Sequence, residues 1–121
     1  MEVVKVIEMM YKKNLEFLIP EIKELAFPDI LRCCRELMGL KQYAAADYLG
    51  FDSLRYRKLE SGRFSEPLSI LELKRLESFY KTPHGILKKK QLEFLNKPLD
   101  QRKEHCKKIW DITEKVIDNL K

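Results

Sequence analysis

Residues 39–62 read GLKQYAAADYLGFDSLRYRKLESG, and this stretch decides the fold. Glycines stand at both of its ends and at Gly50, between two runs rich in helix-forming residues. Gly50 suits a sharp turn, because glycine adopts positive φ at little cost. Asp52 is a favourable N-cap for the second run. The stretch therefore predicts two short helices, over residues 42–49 and about 53–61, joined by a tight turn.

The second of these helices carries an outward face suited to DNA. Steps of three and four residues recur on one side of a helix, and they place Ser53, Leu54, Arg57 and Lys58 together. Arginine and lysine match guanine edges in the major groove, and an exposed leucine can touch a thymine methyl. The layout predicts a helix-turn-helix whose second helix reads bases through these four side chains.

The rest of the chain also predicts helices, so the fold class is all-α. Apolar residues recur at helical spacing over residues 2–18, and Pro28 with Asp29 suits the start of a helix that Gly39 ends. Pro67 is expected to open a helix that runs to about residue 79. Further helices are expected over residues 86–95 and from Pro98 onward, after a clear breaker at residues 82–85.

A family resemblance follows from residues in this central region. Residues 31–80 resemble the lambda-repressor-like, Cro-type helix-turn-helix domain of the XRE family, over about 50 of the 121 residues. The residues that carry it are Arg35, Gly39, Leu40, Gln42, Ala46, Leu49, Gly50, Leu59, Glu60, Gly62 and Pro67. The resemblance implies a helix-turn-helix bundle, here with extra N-terminal and C-terminal helices.

The resemblance also implies roles for three of these residues. Gln42 stands where the family has a glutamine that contacts a phosphate and braces the reading helix. Arg35 and Glu60 match a pair that links the first helix to the end of the third, which is a structural role. Two positions depart from the family pattern: Tyr56 replaces a β-branched inward residue, and Lys41 replaces a capping serine or threonine.

Five residues are candidates for contacts with the DNA backbone. The basic ones offer a positive charge, and those that begin the helix over residues 42–49 also offer exposed backbone amides. The five are Lys41, Gln42, Tyr43, Arg55 and Arg63.

Composition bounds the remaining possibilities. The chain has 24 basic and 19 acidic residues, a formal charge of +5. Basic residues outnumber acidic ones nine to three in residues 81–108, which fits a polyanionic partner. No paired catalytic groups and no metal-ligand spacing stand out, so we expect no enzymatic activity, no metal and no cofactor. We also expect no signal peptide or membrane span, and a cytoplasmic, nucleoid-associated location.

These features predict a sequence-specific regulator of transcription, most simply a repressor, that binds double-stranded DNA as a homodimer. The predicted divisions are an N-terminal helical extension (1–27), the DNA-binding domain (28–81) and a C-terminal dimerisation segment (82–121). The interface is expected at Ile109, Trp110, Val116, Ile117 and Leu120, with the N-terminal helix as the competitor. The alternative is a protein that acts mainly through protein–protein interaction: an antitoxin, an anti-repressor or an inhibitor of a host factor.

Overall fold

The computed structural model describes residues 24–120, and this part of the chain is all-α, as the sequence predicts. It contains six helices and no strand. The helices are α1 (Phe27–Leu37), α2 (Gln42–Leu49), α3 (Ser53–Ser61), α4 (Ile70–Tyr80), α5 (Ile86–Leu95) and α6 (Leu99–Leu120). The expected helix over residues 2–18, and most of the expected extension over residues 1–27, lie outside the described residues.

The first helix, α1, lies at the centre of the molecule. It packs against α3, α5 and α6, and its side chains are buried from Phe27 to Arg35. Pro28 occupies its first turn, where the missing N–H costs nothing. The Asp29 carboxylate accepts a hydrogen bond of 2.9 Å from the Ala26 N–H and so caps the helix. Burial of α1 on several sides therefore organises the core around it.

The start of α4 differs from the sequence prediction. The helix begins at Ile70 rather than at Pro67, because Ser69 is its N-cap. The Ser69 hydroxyl accepts from the Glu72 N–H at 3.2 Å, and the Glu72 carboxylate accepts from the Ser69 N–H at 3.0 Å. This reciprocal capping box satisfies the backbone N–H groups of Ser69 and Glu72. The side chain of Pro67 has no acceptor that could do so.

Aromatic rings connect the central helices to the C-terminal part of the chain. The Phe64 ring lies between those of Phe27 and Phe94, with centroids 5.5 and 5.7 Å away. Beside them, the buried Gln91 side chain accepts a hydrogen bond of 2.5 Å from the Leu68 N–H. The loop between α3 and α4 is therefore fixed against α1 and α5.

The long helix α6 is joined to α1 by polar contacts. The buried Arg32 guanidinium donates to Thr113 Oγ1 and, at 3.1 Å, to the Glu114 carboxylate. His105 Nε2 lies 2.9 Å from Asp29 Oδ1. Residues of the predicted C-terminal segment thus complete the environment of α1, the helix that precedes α2 and α3.

Candidate nucleic-acid interface

The outer face of α3 carries the four predicted base-reading residues. Ser53, Leu54, Arg57 and Lys58 are all exposed, and 54% of the Leu54 surface is accessible. The opposite face of the helix is buried, through Tyr56, Leu59 and Glu60. Burial of one side and exposure of the other leave a cationic surface free on a helix whose position is fixed.

Two local features set the start of α3. Gly50 has φ +75°, and after it the Phe51 N–H bonds back to the Ala46 carbonyl at 2.9 Å, which closes the end of α2. Asp52 then caps α3, since its carboxylate accepts from the Arg55 N–H at 3.2 Å. The predicted turn and N-cap are both present, and together they fix the angle at which α3 leaves α2.

A buried polar network ties the end of α3 to α1 and α2. Arg35 Nε donates to Glu60 Oε2 at 2.7 Å, and Gln42 Nε2 donates to Glu60 Oε1 at 3.2 Å. Burial alone would lower the pKa of Arg35, but its hydrogen bond and charge interaction with Glu60 raise it above the ordinary value. The Arg35–Glu60 pair is therefore present, and Gln42 braces α3 through the same carboxylate.

The unusual tyrosine at position 56 is accommodated inside the molecule. Its side chain is fully buried, and its hydroxyl is hydrogen-bonded to the hydroxyl of Tyr80 on α4. Burial is the largest cause that raises the pKa of both phenols. Tyr56 is therefore closed off from solvent, and its position in the sequence gives no sign of Tyr80 as its partner.

Arg55, a predicted phosphate contact, is paired with a carboxylate of the same chain. Its Nη2 donates to Glu72 Oε1 at 2.9 Å and its Nη1 donates to Glu72 Oε2, while the guanidinium lies 5.6 Å from the centre of the Phe51 ring. In this arrangement Arg55 links α3 to the capped start of α4. In the sequence, the Ser69-x-x-Glu72 pattern indicates that Glu72 caps a helix, but it does not indicate that Glu72 also pairs with Arg55.

The other predicted phosphate contacts lie at the start of α2 and just after the end of α3. Lys41 and Tyr43 are exposed at the start of α2, and Lys41 makes no side-chain cap, as its chemistry predicts. Arg63, also exposed, lines a recess of about 360 Å³ with Lys58 and Phe64. Arg63 therefore lies beside Lys58, one of the four base-reading candidates.

The predicted dimer contacts need correction. Ile109 and Ile117 are buried within the chain, 5% and 4% exposed, so they do not form a free surface. Val116 is half-buried against the core. The helical spacing of α6 correctly indicates an apolar face, but α1 and the core of the same chain cover it. The Leu120 side chain lies outside the described part of the structure.

Trp110 is the expected contact that stays exposed, with 62% of its surface accessible. The Arg32 guanidinium lies over its ring, 3.4 Å from the centroid. This is a cation–π arrangement in which the cation belongs to the core and the ring faces outward. One face of the indole is therefore occupied within the chain, and the rest is available for contact.

Among residues 24–120, no group of three or more His, Cys, Asp or Glu side chains is arranged to hold a metal ion. None of the helices in this range is both long enough and apolar enough to cross a lipid bilayer. The function must be inferred from the geometry and chemistry of the chain itself, because no protein-family model, curated protein or solved structure matches it.

Proposed function

We propose that the chain is a sequence-specific regulator that binds double-stranded DNA through α3, within a lambda-repressor-like helix-turn-helix bundle. One observation carries the proposal. A fixed helix exposes Arg57 and Lys58 beside Ser53 and Leu54, while its other side is buried. A helix held in this way has the size and the donor groups to enter a major groove.

In the proposed mechanism, backbone contacts position the protein and α3 reads the sequence. Lys41 and the exposed amides at the start of α2 approach one phosphate, and Arg63 approaches another. Gln42 acts through Glu60, to which it donates a hydrogen bond of 3.2 Å. Arg55 holds α3 against α4 through Glu72. Occupation of a promoter by the bound protein would then repress transcription.

We further propose that the protein acts as a homodimer, because a single reading helix covers only a few base pairs. Two copies would read half-sites separated by about one turn of DNA. Trp110 is the exposed residue of the expected C-terminal interface. If this interface is correct, Trp110→Ala shifts the chain from dimer to monomer in analytical ultracentrifugation, and an unchanged dimer assigns the interface elsewhere.

The decisive experiment combines site selection with a charge-matched pair of variants. Sequences bound by the protein are selected from random duplex DNA and examined for an inverted repeat. Arg57→Ala with Lys58→Ala is then compared with Lys107→Ala and Lys108→Ala, which removes the same charge from exposed positions on α6. We expect the first pair to weaken binding to the selected site by about tenfold or more, since a good base contact contributes about 1–3 kcal/mol.

The same variants are measured over a range of salt concentrations. We expect log affinity to fall steeply with log salt for the native protein, as phosphate contacts require. The α6 variant should bind the selected site nearly as the native protein does. Equal loss of affinity in both pairs, or unchanged binding by the α3 pair at matched salt, would exclude α3 as the reading helix.

A further inference from the structure

A second concave surface lies away from the outer face of α3, between the end of α2 and the middle of α4. This groove has a volume of about 610 Å³, within the range of small-molecule sites. The residues that give it chemical character are Asp47, Tyr48, Gly50, Lys74, Arg75 and Phe79. None of them is among the predicted DNA contacts.

Two aromatic rings form the apolar part of the groove. The rings of Tyr48 and Phe79 are stacked on each other, with centroids 6.0 Å apart and planes inclined by 25°, and Phe79 is half-buried. Tyr48 is 74% exposed, the highest fraction among the large hydrophobic side chains described. A flat aromatic surface that stays open to solvent is suited to stack a planar ring.

Two cations lie beside the aromatic rings. Lys74 and Arg75 are exposed, and Arg75 makes no hydrogen bond or ion pair with the described part of the chain. Arg75 Nη1 lies 3.3 Å from the position that a Cβ would take at Gly50. The glycine therefore leaves room for a guanidinium that has all its donors available. Such a group is suited to an anion, above all to a phosphate.

The carboxylate of Asp47 narrows the choice of ligand. Asp47 is exposed, and it forms no ion pair within the described residues although Arg75 lines the same groove. A carboxylate disfavours a simple anion, but it accepts hydrogen bonds from a ligand that carries N–H groups. A ligand that satisfies the groove thus combines a planar ring, an anionic group and at least one N–H donor.

We propose that this groove binds a free guanine nucleotide. The base stacks on the exposed ring of Tyr48, which Phe79 supports from within the chain. The N1–H and N2–H groups of the base donate to the Asp47 carboxylate, and Lys74 and Arg75 hold the phosphate of the nucleotide. Guanine fits because these two N–H groups lie side by side and can both meet one carboxylate. The groove touches Gly50, so an occupied site would contact the turn that leads into α3.

The test is isothermal titration calorimetry of the full chain with 5′-GMP, without DNA. We expect saturable binding that Tyr48→Ala and Arg75→Ala each weaken by about tenfold or more, as loss of a stacking or charge contact requires. Tyr48→Phe keeps the ring and should retain the affinity. Lys108→Ala removes one exposed charge outside the groove and should leave binding unchanged.

The role of Asp47 has its own readout. The native chain should prefer GMP to IMP, which lacks the N2 amino group, and Asp47→Asn should remove this preference. The proposal would be overturned if GMP at about 10 mM did not saturate the groove, because only a negligible affinity would leave the site unfilled at that concentration. It would also be overturned by GMP binding that survives both alanine variants. Because no DNA is present, either result leaves the DNA-binding proposal untouched.

Discussion

The hydroxyls of Tyr56 and Tyr80 meet inside the core, where no solvent is available to replace either partner. A buried polar group without a hydrogen bond costs about 1–3 kcal/mol, so the contact between the two hydroxyls stabilises the fold. Glu60 also interacts with the Tyr56 hydroxyl. Sequence reasoning identified Tyr56 as a departure from the family pattern and left its hydroxyl unassigned. The partner is 24 residues away, and only the packing of α3 against α4 defines it.

Loss of one hydroxyl should therefore lower the free energy of unfolding by more than half of what the loss of both hydroxyls lowers it. We expect Tyr56→Phe or Tyr80→Phe to lower the free energy of unfolding by about 1–3 kcal/mol. The double variant should be more stable than the sum of the two single effects predicts, because it leaves no unpaired hydroxyl between the rings. Urea unfolding of all four proteins gives this coupling, and strictly additive losses would contradict it.

Glycine at position 62 is constrained by its neighbours as well as by its backbone. Gly62 has φ +75°, and an added Cβ would lie 2.9 Å from Cys106 Sγ and 3.0 Å from Phe94 Cζ. Gly39 has nearly the same φ, +71°, but nothing within 4 Å of its Cβ position. The two glycines therefore separate the cost of left-handed backbone from the cost of crowding.

Substitution by alanine at the two positions should give different losses of stability. We expect Gly39→Ala to cost about 1–2 kcal/mol through its backbone alone. Gly62→Ala should cost about 1–3 kcal/mol more, since overpacking forces its neighbours to move. Thermal or urea unfolding measures both, and equal losses would show that the surroundings of Gly62 yield without strain.

At the scale of the elements, sequence reasoning located the helices better than their contacts. It gave the bounds of α2 and α5 and the caps of α3, because Gly50, Asp52, Gly62 and Gly85 act locally. It placed the start of α4 too early, since it followed Pro67 instead of the capping box at residues 69–72. It also assigned Ile109 to a dimer interface, because periodicity shows that a face is apolar but not what covers it.

The capping box of α4 makes the fold sensitive to acid. The partial burial of Glu72 would raise its pKa, but hydrogen bonds from Ser69 and Arg55 hold the pKa below the ordinary value of 4.5. A carboxylate whose pKa is lowered by folding stabilises the fold when ionised, and this stabilisation is lost as the pH falls below 4.5 through the folded pKa.

The predicted consequence is a smaller acid effect in Glu72→Gln, which keeps the capping hydrogen bond but removes the charge. We expect the difference in stability between the native chain and this variant to shrink as the pH falls from neutral towards acid. Glu66→Gln, which removes an exposed carboxylate outside the box, is the control. Melting temperatures across this range test the prediction, and a constant difference between native and Glu72→Gln would contradict it.

At the scale of the whole molecule, the predicted DNA-binding region shares its core with the C-terminal helices. Arg32 on α1 and Thr113 on α6 are 81 residues apart, and their side chains meet in the core. Ile109 and Ile117 add apolar contact on the same side of α6. The predicted domain boundary at residue 81, suggested by the breaker at residues 82–85, coincides with a turn in the chain. The contacts between α1 and α6 connect the two sides of this boundary.

Loss of α6 should therefore affect the whole described fold. We expect a chain that stops after Lys97 to lose cooperative unfolding, because the face of α1 that packs against α6 would be exposed to water. Circular dichroism during a thermal scan measures this. A truncated chain that melts as sharply as the full chain, at a similar temperature, would show that the first five helices are sufficient for the core.

The Arg32–Thr113 contact has a consequence for the order of events during synthesis. The amino end of a nascent polypeptide emerges from the ribosome first, but α1 must wait for a partner that is translated 81 residues after Arg32. Until then its buried arginine and apolar side chains have no complete surroundings and are open to chaperones or to misassociation. The growing chain therefore completes the surroundings of α1 only after α6 has been translated.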